Sequence, residues 1–271
     1  MNIVYKNRWA FIIGGSMGIG FALAKEFLAK KSHVLIIARN ENRLKSAVTD
    51  LKNSYPDGKV EYLVVDATQS EMIFEKFKML NKEGITPYFL INCAGKASPN
   101  YFENISSQQL EETFRLNIMT AWNSIQAALP YLKKSGGYII NTSSVAGFLG
   151  VFGYADYSIS KFGIIGLSEV LRSELEPQGI KIAVLCPPDT DTPGYHEENK
   201  TKPAETIAIS SNSKLISAEI VARNTLKELE KGRFIILVNL ESKLTWLLKK
   251  WMPNFLFRWI QKEVYKVQNR R

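Results

Sequence analysis

A chain of 271 residues is long enough for one α/β domain with a large core and too short for two comfortable ones. Its 45% hydrophobic and 23% charged content is ordinary for a soluble globular protein; Cys93 and Cys186 alone exclude a disulfide framework, and His33 and His196 alone leave too few imidazoles for a His-rich metal site. The net charge of +9 is uneven, because residues 241–271 carry eight basic side chains against two acidic ones, so the basic character belongs to a tail and no nucleic-acid partner is expected.

In chain order, seven short apolar runs rich in β-branched residues are predicted strands: 9–13, 34–38, 60–65, 88–91, 138–141, 181–185 and 234–238. Helix-period segments separate them, among them 20–30, 108–133 and 158–176. Strands that are apolar almost throughout, alternating with helices, imply a parallel sheet covered on both faces. The implied fold is α/β: one doubly wound domain over residues 1–240, with about seven parallel strands and ligands at their carboxyl ends. The chain enters a strand almost at once, so no signal peptide is expected, and no apolar stretch reaches the roughly 18 residues of a spanning helix. Those features suit a cytoplasmic protein. Residues 187–214 are polar and rich in proline and threonine, and are predicted as a lid loop over the substrate.

The first strand runs into Gly14-Gly15-Ser16-Met17-Gly18-Ile19-Gly20 and then a helix. Glycines let the backbone turn tightly beside a pyrophosphate, and a helix N-terminus offers unpaired N–H groups and a positive dipole end. An NAD site of this kind places a carboxylate at the end of the second strand for the ribose 2′-hydroxyl. Here Arg39 stands there, with Arg43 a helical turn on; guanidinium groups bind a 2′-phosphate and point to NADPH/NADP+. Asp66, after the third strand, can accept from the adenine amine. Asn92, Ala94 and Gly95 follow the fourth, where small residues let the backbone pass close to the adenosine ribose.

Tyr157 and Lys161 share one face of a predicted helix at i and i+4, and Ser144 lies 13 residues upstream of the tyrosine. A phenol has an ordinary pKa near 10; a neighbouring ammonium lowers it, and a serine hydroxyl can hold a substrate oxygen. With the glycine loop and Asn92-Cys93-Ala94-Gly95, this set resembles the classical short-chain dehydrogenase/reductases from about residue 9 to 238. The resemblance implies a Rossmann-type fold, Tyr157 as proton donor, Lys161 lowering its pKa and binding the nicotinamide ribose, and Ser144 orienting the carbonyl. Asn117 then matches the asparagine supporting a water relay to the lysine, and Ser143 is a second candidate for the carbonyl contact. Ile13 departs from the family pattern, which usually has a threonine bracing the glycine turn.

A narrower stretch, Cys186-Pro187-Pro188-Asp189-Thr190-Asp191-Thr192-Pro193-Gly194, is similar to the corresponding segment of the 3-ketodihydrosphingosine reductases. That likeness implies NADPH-dependent reduction of 3-ketosphinganine, a lipophilic long-chain ketone. Pro187 would stiffen the loop entry, Thr190 and Thr192 would donate to the carboxamide or pyrophosphate, and Asp189, Asp191, Glu197 and Glu198 could attract a cationic amine. Reduction of a steroid or 3-ketoacyl derivative is the alternative, and a non-catalytic NADPH-binding lipid sensor is a third reading. Beyond residue 240, Leu244, Leu247, Leu248, Trp251, Met252, Phe255, Leu256, Trp259 and Ile260 form a helical stripe flanked by cations, interrupted by Pro253. Such a tail, 244–271, is expected to lie peripherally on an anionic membrane surface, with packing on the core or in a homo-oligomer as the alternative.

Overall fold

The computed structural model describes residues 3–211 and 213–269. Among these, seven strands form one parallel sheet: β1 (Trp9–Ile13), β2 (His33–Ala38), β3 (Val60–Val64), β4 (Pro87–Asn92), β5 (Gly137–Thr142), β6 (Ile180–Leu185) and β9 (Ile235–Ile236), in the order β3-β2-β1-β4-β5-β6-β9. The interior strands β1, β2, β4, β5 and β6 are largely apolar because both faces are covered, whereas the edge strand β3 is mostly exposed. Ala10 and Ile12 of β1 point into one cluster with Phe27 and Val221, while Phe11 and Ile13 point into the other with Phe77 and Ile125. The order reverses at β1, which pairs with β2 on one side and β4 on the other, so a crevice opens beyond the carboxyl ends of β1 and β4.

Helices α1 (Gly18–Ala29), α2 (Glu41–Ser54), α3 (Ser70–Lys82), α4 (Ser107–Phe114), α5 (Thr120–Ser135), α6 (Ala155–Leu175) and α9 (Ala218–Glu230) cover the sheet. The doubly wound fold expected from the sequence is the one observed. The segment predicted as a helix over 108–133 is helical throughout, with residues Arg115–Met119 between α4 and α5 forming a π-helical turn within it. The seventh strand is shorter than its predicted 234–238, only two residues pairing with β6.

Residues 187–214, predicted as a lid loop, contain regular structure. Thr190–Asp191 (β7) pairs with Ile216–Ser217 (β8), and two short helices follow β7, α7 (Pro193–Glu198) and α8 (Ala204–Ser210). Thr192 caps α7 by accepting from the Tyr195 amide at 3.1 Å, and Pro193 sits at its first turn, where a missing N–H costs nothing.

The tail divides into α10 (Leu240–Trp251) and α11 (Pro253–Gln268), with Met252 non-helical between them. The apolar stripe divides too. Leu256 and Ile260 are buried where α11 packs on α8, and Trp246 meets Phe148 edge-on at 4.9 Å. No helix among the described residues is long and apolar enough to cross a membrane. Arg270 and Arg271 of the basic tail lie outside the described residues.

Candidate active site

The chain leaves β1 through Gly14, whose φ of 81° is open to glycine. A Cβ there would stand 2.7 Å from the Ala94 nitrogen, so the turn can pass the end of β4 only without a side chain. Gly18 (φ 57°) opens α1, and Met17 at its N-cap provides no side-chain acceptor, leaving the first-turn N–H groups to serve an anion. Beyond β2, the Asn40 side chain accepts from the Arg43 amide at 2.9 Å and starts α2, which carries Arg43 back toward the glycine turn, 3.7 Å from the Met17 sulfur. Arg39 is exposed, its guanidinium 3.8 Å from Asp66. One oxygen of Asp66 already accepts from the Thr68 amide.

A cavity of about 1070 Å³ runs from this turn past the ends of β4 and β5 and on between α10 and α11. That is the upper end of the roughly 300–1,000 Å³ usual for small-molecule sites, room for a dinucleotide and a second ligand. Of the catalytic and cofactor residues singled out from sequence, most line it, and Gly15, Asn92 and Asn117 do not; of the acids offered to a cationic amine, Asp189, Glu197 and Glu198 line it and Asp191 does not. An uncapped helix N-terminus, two glycines at positive φ and two arginines beside β2 fit a phosphorylated dinucleotide.

Asn92 belongs instead to the interior. Its amide donates to the Asn141 side chain at 2.8 Å and accepts from the Ser124 hydroxyl at 2.6 Å, and Asn141 donates on to Ser168 at 2.9 Å. This buried network ties β4, β5, α5 and α6 together, so Asn92 is structural rather than a cofactor contact. Asn117, placed by the π turn, accepts from the Lys96 amide at 2.9 Å and donates to the Lys96 carbonyl and the Ser160 hydroxyl, both at 3.0 Å. It braces the loop after β4 against α6. A Cβ on Gly95 would lie within 3.2 Å of both the Lys161 amine and the Asn117 oxygen, so these three groups are neighbours.

Tyr157 and Lys161 occupy the first turns of α6, which Asp156 anchors. Its buried carboxylate accepts from the Tyr157 amide (2.8 Å), Gln109 (3.1 Å) and Thr113 (2.7 Å). Lys161 Nζ donates to the Thr142 carbonyl at 2.9 Å and lies 5.6 Å from the centre of the Tyr157 ring. Burial brings this amine down to about 8. The phenol was expected to be lowered by the lysine, and the balance runs the other way: burial raises it most, the Glu198 carboxylate adds to that, and only a hydrogen bond from Ser144 pulls it down among the main influences. Ser144 also accepts from the Ala146 amide at 3.1 Å.

Two further expectations change. Ser143 is buried and donates to the Lys161 carbonyl at 2.8 Å, so its hydroxyl holds α6 in place rather than a substrate oxygen. Thr190 donates to the Pro188 carbonyl at 2.7 Å, which removes it as a donor to a ligand, whereas Thr192 keeps its proton free while it caps α7. Pro187 lines the cavity and accepts from the Val145 amide at 3.1 Å. Sequence reasoning missed Thr142, Asp156 and Tyr154, each of which acts through the backbone or through a distant partner.

The family profile described as short chain dehydrogenase matches residues 8–203. The chain belongs to this family. As a short-chain dehydrogenase it is an oxidoreductase, with the tyrosine, lysine and serine corner and the glycine turn in one cavity. It is 34% identical over 95% of its length to the 3-ketodihydrosphingosine reductase of Dictyostelium discoideum, covering 84% of that protein. With the mouse enzyme of the same name it shares 37% identity, over 82% of this chain and 68% of the other. Among solved structures, a short-chain dehydrogenase/reductase from Burkholderia phymatum in complex with NAD superposes with a TM-score of 0.81 at 21% identity, over 92% of this chain and 95% of that one. That last likeness is one of fold.

Proposed function

We propose that this oxidoreductase uses NADPH to reduce the C3 ketone of 3-ketosphinganine to the alcohol of sphinganine, working from the surface of a membrane. The observation that carries the reading is the continuity of the cavity, which joins the glycine turn and Arg39 to the Tyr157 corner and then continues along the apolar residues Leu244, Leu248, Phe255 and Trp259. A cofactor, a ketone and a long alkyl chain suit its three parts in that order. The activity named for the relatives from Dictyostelium discoideum and mouse supports the same substrate.

Gly14 and Gly18 with the N-terminus of α1 would hold the pyrophosphate, and Arg39 with Arg43 the 2′-phosphate. NADPH, when bound, supplies the hydride. Ser144 donates to the carbonyl oxygen and fixes its direction, and Tyr157 gives its phenolic proton to the oxygen as negative charge develops there. An alkoxide is a far stronger base than a phenolate, so a phenol that keeps its proton at neutral pH still protonates it. Lys161 then faces the phenolate from across the ring, and Asn117 positions the lysine through Lys96 and Ser160.

The outward sides of α10 and α11 carry Leu240, Leu247, Trp251 and Phe257, with Met252 between the helices, all exposed, among Lys249, Lys250, Arg258 and Lys262. Apolar and cationic groups interleaved on a helix pair suit an anionic bilayer face, from which an alkyl chain could enter the cavity. The test of the whole reading is Tyr157→Phe assayed by NADPH oxidation with 3-ketosphinganine, a steroid ketone and a 3-ketoacyl ester. Wild-type protein should turn over the sphingoid ketone, and the variant should lose roughly 10²–10⁴-fold. Retention of most activity removes Tyr157 as the acid, and turnover confined to the other ketones removes the substrate.

A further inference from the structure

We propose that Glu198, backed by Asp189 and Lys202, forms an ammonium subsite that selects a ketone bearing an amine on the adjacent carbon. The inference rests on the substrate reading above and deepens it.

Glu198 ends α7, and its side chain is 17% exposed. Its carboxylate accepts from the Tyr154 hydroxyl, and the Tyr154 ring lies 5.6 Å from that of Tyr157. Glu198 and Asp189 both line the cavity, and both bear electrostatically on the Tyr157 phenol. A cation held there stands beside the carbonyl that Tyr157 protonates. In a 2-amino-3-ketone the nitrogen is one carbon from the carbonyl carbon, so it falls on the side of the cavity where Glu198, bonded to the tyrosine next to Tyr157, can reach it.

Among the described residues, the ion pairs at the subsite set one cation against two carboxylates. Lys202 is buried, with 2% of its side chain exposed, and its Nζ lies 3.1 Å from Glu198 and 3.9 Å from Asp189. It sits outside the cavity lining, behind the carboxylates, with the Tyr195 ring 4.2 Å from its ammonium. Despite the ion pairs, Lys202 Nζ makes no hydrogen bond of good geometry. One buried cation thus serves two carboxylates. The remaining acids of this segment are engaged elsewhere, Asp191 with His196 at 2.8 Å, Glu197 with Lys200 at 2.7 Å, and buried Glu205 accepting from the Tyr101 hydroxyl at 2.9 Å. Once an alkyl chain displaces water from the cavity, a carboxylate left bare is penalised, and an incoming ammonium relieves it. The arrangement around Lys202, carboxylate with a tyrosine face, already accommodates one alkylammonium.

The experiment compares kcat/KM for 3-ketosphinganine with that for the deamino ketone of the same chain and hydroxyl, in wild type, Glu198→Gln and Asp189→Asn. Wild type should prefer the amino ketone by on the order of 10². Glu198→Gln should collapse that ratio toward one, chiefly through KM. Asp189→Asn, at a more exposed position, should lower the ratio in the same direction and keeps the test intact should the first variant not fold. A ratio unchanged in a folded variant overturns the subsite, as does a wild type that reduces both ketones equally well, and the proposed function survives either result. A wild type inactive on both ketones overturns both proposals.

Discussion

Replacing Lys161 by methionine should stabilise the folded protein at neutral pH while abolishing turnover. The lysine is 4% exposed, and burial lowers its amine to about 8, against 10.5 for an exposed one. That difference corresponds to roughly 3 kcal/mol of disfavoured charging at pH 7. Between pH 8 and 10.5 the native chain binds fewer protons here than the unfolded chain. Stability owed to this group therefore rises with pH across that window, and the penalty is full below it. Methionine keeps most of the stem's packing without the charge, but gives up the bond to the Thr142 carbonyl, about 1–2 kcal/mol. The net gain should be about 1–2 kcal/mol at pH 7. At pH 9.5 the wild-type penalty falls to roughly half, so the gain should shrink to nothing or reverse. Urea unfolding of both proteins at the two pH values reads the difference directly. An offset that stays constant with pH, or a variant less stable than wild type at pH 7, refutes the idea that the site holds its ammonium at the expense of stability.

Arg39→Asp places at the end of β2 the carboxylate that favours a ribose hydroxyl, and should raise KM for NADPH on the order of tenfold to a hundredfold while improving NADH. Steady-state kinetics with both cofactors decide it, and an unchanged preference would remove the arginine from phosphate recognition. Serine at Trp251 and Phe257, which are 72% and 59% exposed, should weaken sedimentation with anionic vesicles without altering turnover of detergent-dispersed ketone. Binding by wild type should also fall as salt rises and be weak on neutral vesicles; equal binding to both would rule out the charge-assisted surface.

Much of the scaffold is readable from residues alone, because strands buried on both faces have to be apolar along their whole length and helices between them have to carry a stripe. What escaped reading has particular causes. The π turn at Arg115–Met119 inserts one residue into a helix, which an average periodicity over 108–133 absorbs without trace. Asn92 looked like a ligand contact because it stands at a strand's carboxyl end; the signal against that was Asn141, its register partner on β5, since two amides opposite each other in apolar strands bond to one another. Thr192-Pro193 carried a capping signature inside a segment whose composition read as loop. The tail's stripe was visible, but a period gives the apolar face and not its partner, and here one stripe serves core packing, cavity wall and outer surface at different positions.

The direction of the phenol's shift bears on the direction of the reaction. Oxidation of an alcohol requires Tyr157 to accept a proton, and therefore a population of phenolate; reduction requires it to hold one until an alkoxide forms. Burial and the neighbouring carboxylate of Glu198 both disfavour phenolate, and the lysine best placed to favour it is itself weakened as an ammonium by the same burial. An acidic wall beside a catalytic phenol would be a poor choice for an enzyme whose substrate is neutral. It is suited to one that brings a positive charge with it, because that charge answers the wall and eases loss of the phenolic proton in the step where the proton is wanted.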